Sequence, residues 1–169
     1  MSNIIVVYHS GFGHTKLQAE AVARGAGAQV MKAEEADFDA LAKADAIIFG
    51  SPTYMGTVSA QFKQFMDNSS KIWLAQGWKN KVAGGFTNSS SMSGDKQSTL
   101  ISLAVFAAQH GMIWVGSEYD STNDRFGSGL GAMAQSENAP ASDTNPPKQD
   151  LIRAENYGKR IAEITTKLK

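Results

Sequence analysis

The sequence contains no cysteine, which excludes disulfide frameworks, thiolate nucleophiles, iron–sulfur clusters and cysteine-ligated zinc together. Histidine is scarce as well: three occur, none at paired ligand spacing, so no metal site is expected. Neither sign of charge is in excess, since Lys and Arg (16) equal Asp and Glu (16). That balance leaves no electrostatic footprint for gripping nucleic acid or an anionic membrane surface. No apolar run approaches the roughly 18 residues a membrane span requires. Ile4-Ile5-Val6-Val7 is too short for a signal peptide and has no basic flank. These absences predict a soluble, cytoplasmic chain with neither a nucleic-acid nor a membrane partner.

What is present is the composition of one globular domain. The chain has 169 residues, of which 42% are hydrophobic, and 16 glycines bring the apolar share to about half. Residues 1–169 are expected to form a single unit, large enough to bury roughly 68 to 70% of the unfolded surface around its own core.

Unbroken apolar runs recur at Ile4 to Tyr8, Ala46 to Phe49, Val82 to Phe86 and Met112 to Val115, with a weaker one at Ala28 to Met31. Continuous rather than alternating runs belong to strands covered on both faces, as in a parallel sheet. Between them lie helical periodicities: about Thr15 to Gly25, Phe38 to Lys43, Phe62 to Trp73, Leu100 to Ala107 and Leu151 to Leu168. Alternation of this kind predicts an α/β fold, a doubly wound five-stranded parallel sheet with right-handed crossovers. Five strands favour the order 2-1-3-4-5 over the six-stranded dinucleotide-binding order. The stretch Ser117 to Pro147 reads as a long loop, polar yet studded with Tyr119, Phe126, Leu130 and Met133. Large apolar residues in so long a loop favour a functional role.

Ligands of such sheets sit beyond the carboxyl ends of the strands, so three loops carry most of the chemical information. The first is Ser10-Gly11-Phe12-Gly13-His14-Thr15, opening a helix. Two glycines, two hydroxyls and a helix N-terminus suit an anion held by neutral donors, as no Lys or Arg lies inside the loop. The same residues also describe a tight, capped strand-to-helix turn. The second is Pro52-Thr53-Tyr54-Met55-Gly56, either a wall for a flat heteroaromatic ring or an ordinary Pro-Gly loop. The third, Thr87-Asn88-Ser89-Ser90-Ser91-Met92-Ser93, is a set of donors for a ring edge or a flexible polar loop ahead of Asp95. Three such loops at one sheet edge are more specific than any one of them.

The residues resemble the flavodoxin-like FMN proteins and, within them, the WrbA-like NAD(P)H:quinone oxidoreductases. The likeness runs through Val6 to Thr15, Asp45 to Thr53, Gln64 to Asp67, His110 to Met112, Gly129 to Ala132 and Arg153 to Lys159. It implies an FMN whose phosphate rests on Ser10 to Thr15, whose isoalloxazine is flanked by Pro52 to Gly56, and whose pyrimidine edge meets Asn88 to Ser93, with Thr87 among the cofactor-binding residues. Gln109 aligns with a ring-contacting His of the family, Tyr54 stands where Arg is frequent, and Ser replaces Gly in the third loop. The resemblance also implies that Trp73 belongs to a substrate site shared between subunits, in a homodimer or homotetramer. Within the chain alone, Trp73 shares an apolar stripe with Phe62, Phe65, Met66 and Ile72, but lies at the end of its helix before the polar turn Gln76 to Asn80.

The implied activity is an FMN-dependent NAD(P)H:quinone oxidoreductase that passes two electrons to a quinone or similar flat acceptor by a ping-pong hydride mechanism. No dedicated catalytic side chain is needed, because the flavin performs the chemistry. A flavodoxin-type electron carrier is the alternative, although carriers steer toward basic partners through an acidic surface, and the net charge here is +0. A phosphoacceptor domain would require acidic residues where the chain has His9, Ser10 and Gly50.

Overall fold

The computed structural model describes residues 2–169. The strands are β1 (Ile4–Tyr8), β2 (Gln29–Lys32), β3 (Ala46–Tyr54), β4 (Thr57–Val58), β5 (Val82–Ser89), β6 (Ile113–Trp114) and β7 (Ala132–Gln135). The helices are α1 (His14–Ala26), α2 (Phe38–Lys43), α3 (Ala60–Asn68), α4 (Ser70–Leu74), α5 (Lys96–Gln109) and α6 (Lys148–Lys167), with one 3-10 turn at Ala33–Glu35. Along the sheet the order is β2-β1-β3-β5-β6. That is the expected flavodoxin-like 2-1-3-4-5 once the β3–β4 hairpin is set aside. Among the described residues no helix is long and apolar enough to cross a membrane.

Two apolar layers cover the sheet. On one face Ile5, Val7, Ile47 and Phe49 pack with Phe62, Phe65, Trp78, Leu103 and Phe106. On the other, Ile4, Val6 and Ile48 meet Ala19, Val22, Ala154, Tyr157 and Ile161 of α1 and α6. Both faces of β1 and β3 are therefore dry, which is why these strands read as unbroken apolar runs.

Three features differ from the sequence expectation. The stripe from Phe62 to Trp73 is not one helix: it breaks at Ser69, whose hydroxyl donates to the Met66 carbonyl (2.7 Å) and meets His110 Nε2 (2.8 Å). A serine that bonds its own backbone competes with the helix ladder. The β3 and β5 strands extend past their apolar runs, so Ser51 to Tyr54 and Thr87 to Ser89 are strand rather than loop. Finally, Ser117 to Pro147 is not all loop, because it contains β7.

The fifth strand position is in fact split. β6 pairs with Val82 and Ala83 of β5, the chain leaves the sheet, and β7 returns to pair with Phe86 to Ser89. The gap falls at Gly84 and Gly85, and Tyr157 of α6 spans it. Its hydroxyl donates to the Val115 carbonyl (2.6 Å) and accepts from the Gly85 N–H (3.1 Å). One buried phenol thus satisfies two backbone groups that a continuous strand would have paired.

Tyr157→Phe is expected to leave both groups unpaired and to lower unfolding stability by about 1 to 3 kcal/mol. Chemical denaturation read by circular dichroism checks this, and an unchanged midpoint would refute the bridging role.

Candidate functional site

The carboxyl ends of β1, β3 and β5 face one cleft of about 690 Å³, inside the usual range of roughly 300 to 1,000 Å³ for small-molecule sites. Ser10, Phe12, His14 and Thr15 line it from the first loop; Pro52, Thr53 and Tyr54 from the end of β3; Asn88, Ser89, Ser90 and Ser91 from the end of β5. A fourth wall, Ser136 to Pro140, follows β7.

The first loop is built as an anion cradle. Gly13 occupies the N-cap of α1 at φ 90, a left-handed conformation that side chains rarely adopt. Ser10 Oγ accepts from the N–H groups of Gly13 (3.0 Å) and Lys16 (3.1 Å) and fixes the curl. The N–H groups of His14 and Thr15 have no acceptor among the described residues. They remain available at the positive end of the helix dipole. The His14 ring is held at Nε2, 2.9 Å from the Ala139 carbonyl and 3.2 Å from Asn145 Nδ2.

The second and third loops form the ring-sized part. Thr53 Oγ1 sits 2.8 Å from both Thr87 Oγ1 and Thr99 Oγ1, locking the ends of β3 and β5 together. Phe12 and Tyr54 meet edge to face, ring centroids 6.5 Å apart, at the mouth. Burial raises the Tyr54 phenol above its ordinary pKa, with the Gly11 N–H acting against it, so the hydroxyl is neutral at physiological pH. Asn88 donates through Nδ2 to Ser136 Oγ (2.9 Å), whereas its Oδ1 is buried with no partner. A buried acceptor without a partner, on a residue that lines the cleft, is one that a ligand N–H can satisfy.

The lining therefore fits FMN: hydroxyl and backbone donors for a phosphate at one end, aromatic and Pro surfaces in the middle, and an unpaired amide oxygen for a ring N–H. Among the described lining residues there is no Lys or Arg, and one carboxylate, Glu137. The anion would be held by dipoles and neutral donors alone.

Other expected residues stand elsewhere. Thr87 is fully buried behind Thr53, and Gly11 and Gly13 shape the first loop. Met55 and Gly56 form the β3–β4 turn, both with positive φ, and Met55 is fully exposed. Met92 and Ser93 border a neighbouring hollow with Arg125 and Phe126. Gln109 and Trp73 line a shallow depression at the far end of the sheet with Met66, Val105 and His110. Because α3 to α5 run antiparallel to the strands, the far ends of these helices lie away from the cleft of their own subunit. His110 itself is buried against Trp78 and Phe106, and burial pushes its pKa down to about 4. The sequence pointed to the Ser117 to Pro147 stretch as functional and as part of the acceptor pocket without singling out Ser136 to Pro140, the part that lines the cleft.

Gly13→Val is expected to disturb the N-cap, since a Cβ there would strain φ and stand 3.0 Å from Ala141 Cβ. At least a tenfold loss of FMN affinity, with the fold retained, is the expected outcome of a flavin-fluorescence titration. Wild-type affinity would show that the phosphate does not rest on this loop.

The model of the family described as NADPH-dependent FMN reductase matches residues 12–124. A protein of Pseudomonas aeruginosa named Flavodoxin FldP is 42% identical over 99% of both chains. An Archaeoglobus fulgidus protein named NAD(P)H dehydrogenase (quinone) is 35% identical over 99% of this chain and 100% of its own length. Among solved structures, that of a flavodoxin, WrbA-like protein from Agrobacterium tumefaciens aligns with a TM-score of 0.84 at 45% identity, each chain covered at 100%. The cleft, the strand order and these matches converge: the chain belongs to the NADPH-dependent FMN reductase family, in its WrbA-like, flavodoxin-fold branch.

Proposed function

We propose that the protein is an FMN-dependent oxidoreductase that takes electrons from NADH or NADPH and reduces a quinone or similar flat acceptor by two electrons. The observation that carries this reading is the single cleft in which free helix N–H groups, the aromatic mouth and the orphan Asn88 Oδ1 follow one another. When bound, FMN supplies the hydride chemistry. The chain's residues bind and orient. Ser10 to Thr15 hold the phosphate, Pro52 to Tyr54 flank the ring, and Asn88 with Ser89 to Ser91 meets its polar edge. No side chain is assigned a proton transfer, which accords with His14 being held by Ala139 and Asn145.

The open mouth beside Phe12 and Tyr54 offers one exposed side of a bound ring. Nicotinamide and quinone would both need it, so they must alternate. Steady-state kinetics with NAD(P)H and benzoquinone, with no partner reductase added, should give parallel double-reciprocal lines. Intersecting lines together with a ternary complex would disprove the ping-pong sequence.

Trp73 is 44% exposed and Leu74 beside it 77%. An assembly that seats this end of one subunit over the cleft of another would place Trp73 and Gln109 at the acceptor. A stacked aromatic of this kind contributes roughly 0.5 to 1.5 kcal/mol beyond area. Trp73→Ala is therefore expected to weaken quinone turnover several-fold while FMN affinity holds. A fully active monomer in sedimentation would disprove the shared site.

The 42% identity to a protein named Flavodoxin FldP favours a second reading, an electron carrier between proteins. The balanced charge of the chain argues against long-range steering to a basic partner. The same assay separates the two, because a carrier would not oxidise NAD(P)H unaided.

A further inference from the structure

Lys96 is the first residue of α5 and is fully buried. Its Nζ carries three protons and all three are used, toward Ser89 Oγ (2.9 Å), the Ser91 carbonyl (2.5 Å) and the Met92 carbonyl (3.0 Å). The Phe126 ring closes another side, its centroid 4.9 Å from Nζ. The position is an unfavourable one for a cation, since the start of a helix is the positive end of its dipole.

No carboxylate compensates this ammonium directly. Asp150, on α6, is held by both arms of Arg125 at 2.8 Å and by the Gln135 N–H at 2.9 Å. Asp95, the N-cap of α5, makes no side-chain cap bond. Burial first, then the neighbouring Arg125, push the Lys96 pKa down to about 8, against the pull of Asp150. A buried, unpaired charge is expensive, and what it organises is the segment whose Ser89, Ser90 and Ser91 line the cleft.

The cleft wall meanwhile offers no cation of its own among the described residues, and it carries Glu137. Negative charge that collects on a reduced ring would meet only neutral dipoles at its surface. Lys96 stands one layer behind that surface. The peptide unit whose Ser91 carbonyl faces Nζ carries the Met92 N–H on its opposite side, because the unit is planar and trans.

We propose that Lys96 is a positioning residue that folds Ser89–Ser91 into the wall of the flavin cleft and lends that wall the positive charge that favours the reduced ring. The inference rests on the FMN reading of the cleft. It goes further in assigning the setting of the redox balance to a side chain that never touches the ligand.

The test uses the full chain loaded with FMN, comparing wild type with Lys96→Met and Lys96→Gln. Two quantities are read: the dissociation constant for oxidised FMN and the two-electron midpoint potential by spectroelectrochemistry. A strut without an electrostatic role weakens both redox forms equally and leaves the potential at the wild-type value, which would overturn the proposal. The expected result is about a tenfold loss of preference for the reduced form, equivalent to a potential lower by about 30 mV.

If neither variant loads, the wild type decides. Its potential relative to free FMN at the same pH should move to lower values as pH rises from about 7 to about 9.5 and the ammonium is lost, Arg125, Asp150 and Asp95 being the other charged groups near it. A constant offset across that range would equally overturn the proposal. A wild type that takes up no FMN defeats the functional reading itself, a result seen before any variant is made.

Discussion

The parallel register of β1, β3 and β5 is the constraint on which the site depends. It sets Tyr8, Gly50 and Phe86 side by side; β1 ends there while β3 and β5 run on together, and the segments beyond all three line one space. Gly50 makes the alignment possible, because a Cβ there would stand 2.0 Å from Phe86 Cζ. The aromatic ring of one strand lies across the bare backbone of the next. β1 ends at Tyr8 and His9 donates its N–H to the Gly50 carbonyl at 3.0 Å. Beyond that point β3 pairs with β5 through Pro52 and with β4 at Thr53 and Tyr54, and no longer with β1, which is why Pro52 sits in a strand without removing a ladder bond to β1.

From that alignment follows a cleft that handles an anion without cations. Lysine or arginine would bind a phosphate strongly but would also raise the affinity of the cleft for any polyanion. Free N–H groups at the start of α1, fixed by Ser10, instead impose direction and size. Hydroxyl pairs such as Thr53 with Thr87 and Thr99 hold the walls with neutral groups. The ammonium of Lys96 is turned toward Ser89 Oγ and the carbonyls of Ser91 and Met92.

Much of this was legible in the sequence for a definite reason. Strands covered on both faces must be continuously apolar, so the core of each strand announces itself, and the Gly-rich loop after β1 can do little but curl. The polar extensions were not legible. Ser51 to Tyr54 and Thr87 to Ser89 resemble loop because their hydroxyls are satisfied by one another only after β3 and β5 are paired. β7 was missed since Ala132 to Gln135 has no large apolar residue but Met133, and its place is fixed by β5. The break at Ser69 depends on His110, forty-one residues away. Trp73 and Gln109 were joined to the cleft by resemblance rather than by pattern, and the helix directions place them at the other end of their own subunit.

The split fifth strand is what brings the fourth wall into being. The excursion between β6 and β7 is tied to α6 by two ion pairs, partly exposed Arg125 with buried Asp150 and the buried pair of Arg153 with Asp124, and by Arg160 to the Gly116 carbonyl at 2.9 Å. Returning to the sheet as β7, the chain delivers Ser136 to Pro140 above the start of α1. There Asn145 reaches the carbonyls of Ala139 (3.1 Å) and Pro140 (3.3 Å), and His14 meets the same Ala139 carbonyl. The helix turn that offers donors to the anion thus also anchors the wall beside it. Local opening of the excursion would remove that wall and leave the register of β1, β3 and β5 untouched, since opening units follow contiguous packed segments. Ligand access and fold integrity are in this way assigned to different parts of one sheet, with α6 holding the part that closes last in the chain.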